Sequence, residues 1–234
     1  MGRPASERGA NAMASETHER GGFPNLPGDA SAYLYQALAV LEGLVPEDRF
    51  VVGLGSCHHG AGTSSVAWHF SVTLATSGRR PVCLVEANLR TPVLAVALGL
   101  RPAPGLRELL AGETDLDAAI QRPAGQELSV ITAGAPGRVD VSMFSRSALA
   151  GIVEQIRGRF RSIVFDVPPV LEYPDTVAIS PHLDGIVLVL HAERDKSEVA
   201  QRSARLLEGA GVRVVGAMLN RKPLYIPQWI YRLL

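Results

Sequence analysis

The residues between a short apolar run at 50–54 and a helical pattern at 64–76 have the types and spacing of a phosphate site. They read Ser56-Cys57-His58-His59-Gly60-Ala61-Gly62-Thr63-Ser64-Ser65. In a turn of this kind successive backbone N–H groups wrap the phosphates, and the N-terminus of the following helix adds its dipole. A lysine then reaches the outer phosphates and the next hydroxyl binds magnesium. Here Thr63 stands at the lysine's place, and the first lysine of the chain is Lys196.

Two residues on other predicted strand ends could take part in the same chemistry. Asp166 follows the apolar run 162–165 and precedes Pro168-Pro169. Its carboxylate can serve a metal or nucleotide site, or can only form the turn before the prolines. Arg90 can contact an anion, or can hold its own loop by hydrogen bonds. The residues alone leave both alternatives open.

Histidine and cysteine give weaker signals. His58 and His59 can supply partial positive charge to a phosphate in place of lysine, or can be ordinary loop residues. Cys57 and Cys83 form no CxxC or metal-ligand spacing. Both lie beside or within apolar strand patterns, which predicts buried free thiols in a reducing cytosol.

Apolar runs of four to eight residues alternate with helical patterns along the chain. Predicted strands lie at 50–54, 81–85, 128–132, 162–165, 185–190 and 212–219. Predicted helices lie at 64–76, 93–99, 104–111, 116–121, 142–158 and 195–209. The alternation predicts an α/β fold, a doubly wound and mainly parallel sheet with helices on both faces. Such sheets bind ligands at the carboxyl ends of their strands.

Length and composition indicate one domain with flanking segments. The 234 residues carry 23 basic and 23 acidic side chains, so a nucleic-acid partner is not expected. No run approaches the roughly 20 apolar residues that span a bilayer. Residues 1–29 are polar and predict a disordered tail. Residues 30–221 form the predicted domain, beginning with an amphipathic helix at 31–44, and 222–234 form an amphipathic C-terminal segment.

Several segments, taken in order, carry a family resemblance. They are Leu84-Val85-Glu86-Ala87-Asn88-Leu89-Arg90-Thr91-Pro92, Pro104-Gly105-Leu106-Arg107-Glu108-Leu109-Leu110-Ala111-Gly112-Glu113, Ile163-Val164-Phe165-Asp166-Val167-Pro168-Pro169-Val170-Leu171, Asp175, Asp184-Gly185, and Gly216-Ala217-Met218-Leu219-Asn220-Arg221. Together with the 56–65 turn they resemble the bacterial tyrosine kinases of capsule and exopolysaccharide systems, in the P-loop NTPase superfamily. The resemblance covers about residues 50–221.

The resemblance implies ATP or ADP with Mg²⁺ as the cofactor and assigns a site to particular residues. Asp166 and Glu86 take the catalytic positions, and Ser64 and Asp166 take the metal positions. The cofactor-binding positions are Gly60, Ala61, Gly62, Thr63, Ser64, Ser65, Asn88, Arg90 and Asn220, with Asn220 associated with the adenine base.

The chain departs from this family where the chemistry lies. Thr63 replaces the lysine, Ala61 an acidic residue of the loop, and Glu86 and Asn88 the two aspartates of the second acidic motif. Phosphoryl transfer depends on positioned cations and carboxylates around the transferring group. These losses predict a rate lower by on the order of 10³ or more, and only weak nucleotide binding.

The resemblance also implies a partner. Kinases of this family are activated by the cytoplasmic tail of a membrane-embedded polysaccharide chain-length regulator, which would hold this protein in the cytoplasm at the inner face of the membrane. Self-association is possible, but the family's Glu-x-x-Arg-x-x-Arg pattern is replaced by Ser31, Leu34 and Ala37 at the nearest positions. Only Tyr225 and Tyr231 stand where the family has a tyrosine cluster.

The C-terminal segment has an apolar stripe at helical spacing, formed by Ile226, Trp229, Ile230, Leu233 and Leu234. It can cover the domain's own sheet or bind a partner.

The motifs and their departures favour a catalytically impaired kinase-like regulator. The alternatives are an active tyrosine autokinase with a rebuilt site and a membrane-associated positioning ATPase of the partition type.

Overall fold

The computed structural model describes residues 49–78 and 81–221, together with Phe23, Leu34, Gln36 and Ala39. The C-terminal segment 222–234, including Tyr225 and Tyr231, lies outside the described residues, as does the 1–29 tail apart from Phe23. Within the described part of the chain, no helix has both the length and the apolar character needed to cross a bilayer.

The described residues form one seven-stranded sheet in the order β3-β4-β2-β5-β1-β6-β7. All neighbouring strands are parallel except β3, which is antiparallel to β4. The strands are β1 Phe50–Ser56, β2 Val82–Glu86, β3 Ile120–Gln121, β4 Ser129–Ile131, β5 Ser162–Asp166, β6 Gly185–His191 and β7 Val214–Asn220. The central strands β1, β2 and β5 are buried along their whole length, as expected of parallel strands covered on both faces.

The helices fill the connections between the strands. They are α1 Thr63–Thr76, α2 Leu94–Leu98, α3 Leu106–Ala111, α4 Leu116–Ala119, α5 Arg146–Arg159, α6 Asp175–Ile179 and α7 Ser197–Gly209, with 3₁₀ turns at Val141–Phe144 and Ser180–His182. In α5 the buried residues are Leu149, Ile152, Val153 and Ile156. Their spacing places one apolar stripe against the sheet.

Two hydrophobic clusters cover the opposite faces of the sheet. Val51 belongs to the cluster that includes the buried stripe of α5 and Leu207 of α7. Its neighbour Val52 belongs to the cluster that includes Phe70 and Leu74 of α1. Since successive side chains of a strand point to opposite faces, the doubly wound α/β prediction is confirmed.

The structure differs from the predicted elements at short segments. The helix predicted at 116–121 ends at Ala119, because Ile120 and Gln121 pair with β4 instead. The side chain of Gln121 also exchanges two hydrogen bonds with the backbone of Arg101, which anchors it in the strand. Helix α6 and strand β3 are absent from the sequence prediction.

Two of the N-terminal residues that the structure describes, Phe23 and Leu34, pack on the domain. Leu34 is helical and buried in the α1-side cluster, which agrees with the helix predicted at 31–44. Phe23 stacks on Trp68 with ring centroids 6.3 Å apart. This contact buries part of one aromatic ring of the 1–29 segment, and the disordered tail stays a prediction.

Candidate functional site

The turn after β1 has the backbone shape that its glycines allow. Gly60 and Gly62 have φ of 91° and 83°, in the left-handed region that favours glycine. Gly62 is the N-cap of α1. A Cβ added to it would also lie 2.5 Å from Nδ2 of Asn220, so both the backbone angle and the close approach require glycine.

Residues from three other connections hold this turn in place. Asn220, at the end of β7, donates from Nδ2 to the Ala61 carbonyl at 2.8 Å. Arg194, after β6, donates from Nη1 to the His59 carbonyl at 3.1 Å. Glu172 accepts a 2.7 Å hydrogen bond from the His59 N–H. The turn is therefore a fixed loop at the carboxyl end of the sheet.

Asp166 is a buried carboxylate beside the loop. It ends β5, in register with Leu54 of β1 and Glu86 of β2, and is 1% exposed. Burial raises its pKa to about 8; the nearby Ser64 hydroxyl lowers it in part, and the Glu86 carboxylate adds to the rise. Neither carboxylate oxygen has a hydrogen-bond partner of normal geometry among the described residues. A buried polar group without a partner costs free energy, so Asp166 marks a candidate site for a bound ion or ligand.

The residues around Asp166 fit a magnesium ion bound with a nucleotide. Mg²⁺ prefers hard oxygen ligands and usually takes one or two protein groups, with phosphates and waters completing its shell. Ser64 and Asp166 supply two such oxygens. No group of three or more His, Cys, Asp or Glu side chains that could hold a metal occurs among the described residues. Phosphate oxygens and waters would complete the shell.

Glu86 supports the backbone around the site. Its Oε1 accepts from the N–H groups of Val93 at 2.5 Å and Leu94 at 2.8 Å. Its Oε2 accepts from the N–H of Ala133 at 3.0 Å. Burial raises the pKa of Glu86, and these three hydrogen bonds oppose the rise. Both oxygens are thus engaged in joining the start of α2 to the end of β4.

Asn88 and Arg90 are also bound to protein groups. Asn88 donates to the Thr91 hydroxyl at 3.0 Å and accepts from the Thr91 N–H at 3.3 Å, closing a local turn. Arg90 makes two hydrogen bonds to Asp175, at 2.6 and 2.9 Å, and its guanidinium lies 4.6 Å from the centroid of the Tyr173 ring. Asp175 is fully buried and its pairing holds the 88–92 loop against α6. Of the two alternatives for Arg90, the structure shows the loop-holding contact.

The structure thus brings some of the predicted site residues together at the loop, whereas others are hydrogen-bonded to protein groups outside it. The loop residues Ala61 and Gly62 meet Asn220, and Gly60 lies beside Arg194. The half-buried Thr63, Ser64 and Ser65 open α1 above Asp166. Glu86, Asn88 and Arg90 lie nearby but contact backbone or protein side chains. Sequence reasoning missed Arg194 and Glu172 as loop contacts. Their separations of 135 and 113 residues from His59 leave no local signal.

A mainly parallel α/β sheet, a glycine-rich loop leading into a helix, and a buried aspartate on the adjacent strand define a P-loop nucleotide-binding fold. No protein-family model matches the chain. Over 165 residues it is 27% identical to the tyrosine-protein kinase YwqD of Bacillus subtilis (strain 168), covering 70% of this chain and 69% of that protein. Over 195 residues it is 27% identical to the succinoglycan biosynthesis transport protein ExoP of Rhizobium meliloti (strain 1021), covering 82% of this chain and 25% of ExoP.

Solved structures agree with these relatives. The VpsO kinase domain superposes with a TM-score of 0.75 at 27% identity, over 83% of this chain and 95% of that domain. MinD of Pyrococcus horikoshii OT3, solved with Mg-ADP, has a TM-score of 0.65 at 23% identity, over 79% of this chain and 76% of that one, and shows the fold alone. The homologues of this chain are therefore bacterial tyrosine-protein kinases, and the resemblance found in the sequence is confirmed. The chain spans most of YwqD but only a quarter of ExoP.

Proposed function

We propose that this protein binds ATP or ADP with magnesium at the 56–65 loop and acts as a catalytically impaired, tyrosine-kinase-like regulator of exopolysaccharide or capsule synthesis and export. The observation that carries the proposal is Asp166, a buried acid beside the glycine-rich 56–65 loop whose carboxyl oxygens have no hydrogen-bond partner among the residues that the structure describes. The names of YwqD and ExoP support the kinase-like and polysaccharide parts.

The nucleotide would be held mainly by backbone. The N–H groups from Gly60 to Ser64 line the loop, and anion binding by such groups does not depend on side chains. Ser64 and Asp166 would hold the magnesium, which supplies charge neutralisation at the phosphates. Because burial raises the pKa of Asp166 to about 8, metal binding there displaces a proton and strengthens as the pH rises toward 8.

Impairment of phosphoryl transfer follows from the residues at the reacting end. Thr63 has no ammonium group, both oxygens of Glu86 accept backbone hydrogen bonds, and Asn88 is uncharged and bonded to Thr91. We expect radiolabelled autophosphorylation of the purified protein to be no greater than that of an Asp166→Ala variant. Labelling of Tyr225 or Tyr231 above that control would favour the alternative of an active autokinase.

Nucleotide binding is expected to be weak but rescuable. Thr63→Lys with Asn88→Asp restores the missing cation and one carboxylate, and should tighten MgADP binding by at least tenfold, about 1.4 kcal/mol. Asparagine 88 tolerates the change, since an aspartate can still accept from the Thr91 N–H and hydroxyl. Isothermal titration calorimetry measures the effect, with Thr63→Met as a control for side-chain length without charge. A folded double variant that binds no better than wild type would show that the loop is not a phosphate site.

The proposed partner is the cytoplasmic tail of a membrane-embedded polysaccharide chain-length regulator. ExoP supports this, because the part of it that matches this chain is only a quarter of a longer transport protein. Such a partner would hold the protein at the inner face of the membrane. Fluorescence anisotropy of a labelled tail peptide tests the partner, and absence of binding in the presence and absence of MgADP would contradict it. The positioning-ATPase alternative is supported by the MinD fold alone.

A further inference from the structure

Two arginines approach the phosphate loop from the ends of neighbouring strands. Nη1 of Arg194, after β6, lies 3.8 Å from the position that a Cβ on Gly60 would occupy. Nε of Arg221, after β7, lies 3.8 Å from the corresponding position on Gly62. Gly60 and Gly62 are the two left-handed residues that shape the loop. The two guanidinium groups therefore flank the part of the loop where phosphates would bind.

Each arginine is placed there by its own connection. Arg194 sits in a turn in which its N–H bonds to the His191 carbonyl, and Asp195 accepts from the His191 N–H at 2.7 Å. Its Nη1 donates to the His59 carbonyl, which uses one of the five N–H donors of a guanidinium. The remaining donors can bind an anion, since Arg194 is exposed.

Arg221 is positioned at a backbone cost. Its φ of 56° makes it the one non-glycine residue with positive φ in the described part of the chain. Residues held in this region cluster at binding sites, where surrounding contacts fix them. Here the preceding Asn220 is fixed by its hydrogen bond to Ala61. The strained residue is thus the one that carries a cation to Gly62.

The loop lacks a lysine that could balance the charge of bound phosphates, and the two arginines could supply that charge. Thr63 occupies the place of the lysine that usually meets the outer phosphates, and Glu172 adds a carboxylate at the His59 N–H. Asp166 is a further acid below the loop. With Asp166 engaged by magnesium in the proposed site, the outer phosphates would still meet the Glu172 carboxylate and would find no lysine at position 63. Guanidinium groups bind phosphate through paired N–H donors.

We propose that Arg194 and Arg221 together replace the missing lysine and bind the outer phosphates of a nucleoside di- or triphosphate. This inference rests on the proposed nucleotide site. It names the residues that would make the affinity depend on the number of phosphates in the nucleotide. The groups come from the β6–α7 connection and the end of β7, whereas a lysine at position 63 would come from α1. The cations of the site therefore come from the ends of β6 and β7, which lie on the side of β1 away from β5.

The test compares nucleotides that differ in phosphate number. Isothermal titration calorimetry of the full chain with MgATP, MgADP and adenosine is run on wild type, Arg194→Ala, Arg221→Gly and the double variant. Arg221→Gly keeps the left-handed backbone without strain, so the variant should fold. We expect at least a tenfold loss of MgATP affinity in each single variant, a larger loss in the double variant, and adenosine affinity within twofold of wild type. Arg202→Ala and Arg205→Ala, on the exposed face of α7, should bind MgATP as wild type does.

The outcomes separate this inference from the proposed function. If wild type binds neither MgATP nor MgADP, the proposed nucleotide site is wrong and the arginine assignment fails with it. If wild type binds MgATP and both arginine variants bind it equally well, only the arginine assignment is overturned. Equal losses for MgATP and adenosine would also overturn it, because they would show a general disturbance of the loop. Thermal melts of each variant confirm that the folded protein is being compared.

Discussion

Replacing Asp166 with asparagine is expected to stabilise the ligand-free protein at pH 8, by on the order of 3–5 kcal/mol in the free energy of unfolding. Burial raises the pKa of Asp166 from 3.8 to about 8 in the folded state. Between those values the folded protein keeps a proton that the unfolded chain has lost, so the stability of wild type falls as the pH rises through this window. Asparagine cannot ionise and removes that fall. Near pH 4 the variant and wild type should differ much less.

Urea denaturation at pH 4.5, 6 and 8, without nucleotide or magnesium, measures the effect. Asp117→Asn is the control, because Asp117 is exposed and paired with Arg159, which lowers its pKa. That change should slightly destabilise the protein at pH 8, in the opposite direction. The same Asp166→Asn variant should lose the magnesium dependence of ADP binding. A stability difference between variant and wild type that is the same at all three pH values would contradict the buried, unpartnered carboxylate.

Replacing Glu86 with alanine should cost about 3–5 kcal/mol of unfolding free energy, since three buried or half-buried N–H groups lose their acceptor at once. The groups belong to Val93, Leu94 and Ala133. Glu86 lies 47 residues from Ala133 in sequence and joins the start of α2 to the end of β4, so its loss should loosen both elements. Chemical denaturation measures the cost, with the exposed Glu154→Ala as a control expected to change stability by less than about 0.5 kcal/mol.

Glu86→Asp sharpens this test. Aspartate is the residue of the resembled family, but it is one methylene shorter and cannot reach both the α2 and the β4 amides from the same backbone position. We expect a loss of stability intermediate between wild type and Glu86→Ala, and no gain in phosphoryl transfer. An aspartate variant as stable as wild type would show that the glutamate's length is not used in this way.

The sheet and its main helices follow from local patterns. The run 50–54 is apolar, a glycine-rich turn follows it, and the next apolar residues recur at helical spacing, so β1, the loop and α1 were predictable. The strand itself continues through Gly55 to Ser56. Strand β3 was not, because two residues give no periodicity and Ile120 continues the helical pattern of 116–119. Its pairing with Ile131 is set by tertiary contact.

The candidate site was predictable where it depends on the backbone and less so where it depends on side-chain direction. Gly60, Gly62 and Asp166 lie where their strand-end positions indicate. The sequence could not show that Arg90 is bound by Asp175, 85 residues away. Nor could it show that Glu86 faces the amides of Val93 and Ala133. The Arg90–Asp175 and Glu86–Ala133 contacts join residues far apart in sequence, which a pattern of residue types does not encode. Because Arg90 is bound by Asp175, cations at the loop have to be supplied from elsewhere.

Because β7 lies at the edge of the sheet, its local unfolding is coupled to that of the 56–65 loop. Among the described strands it pairs only with β6, and three of its seven residues are exposed. Edge elements open in local fluctuations that cost less than global unfolding. Because Asn220 at its end holds the Ala61 carbonyl, fraying of β7 releases the loop. The β7 amide hydrogens that bond to β6 should thus exchange more slowly when nucleotide is bound. Because such coupling is reciprocal, any contact that stabilises the end of β7 should also increase the affinity of the loop for its ligand.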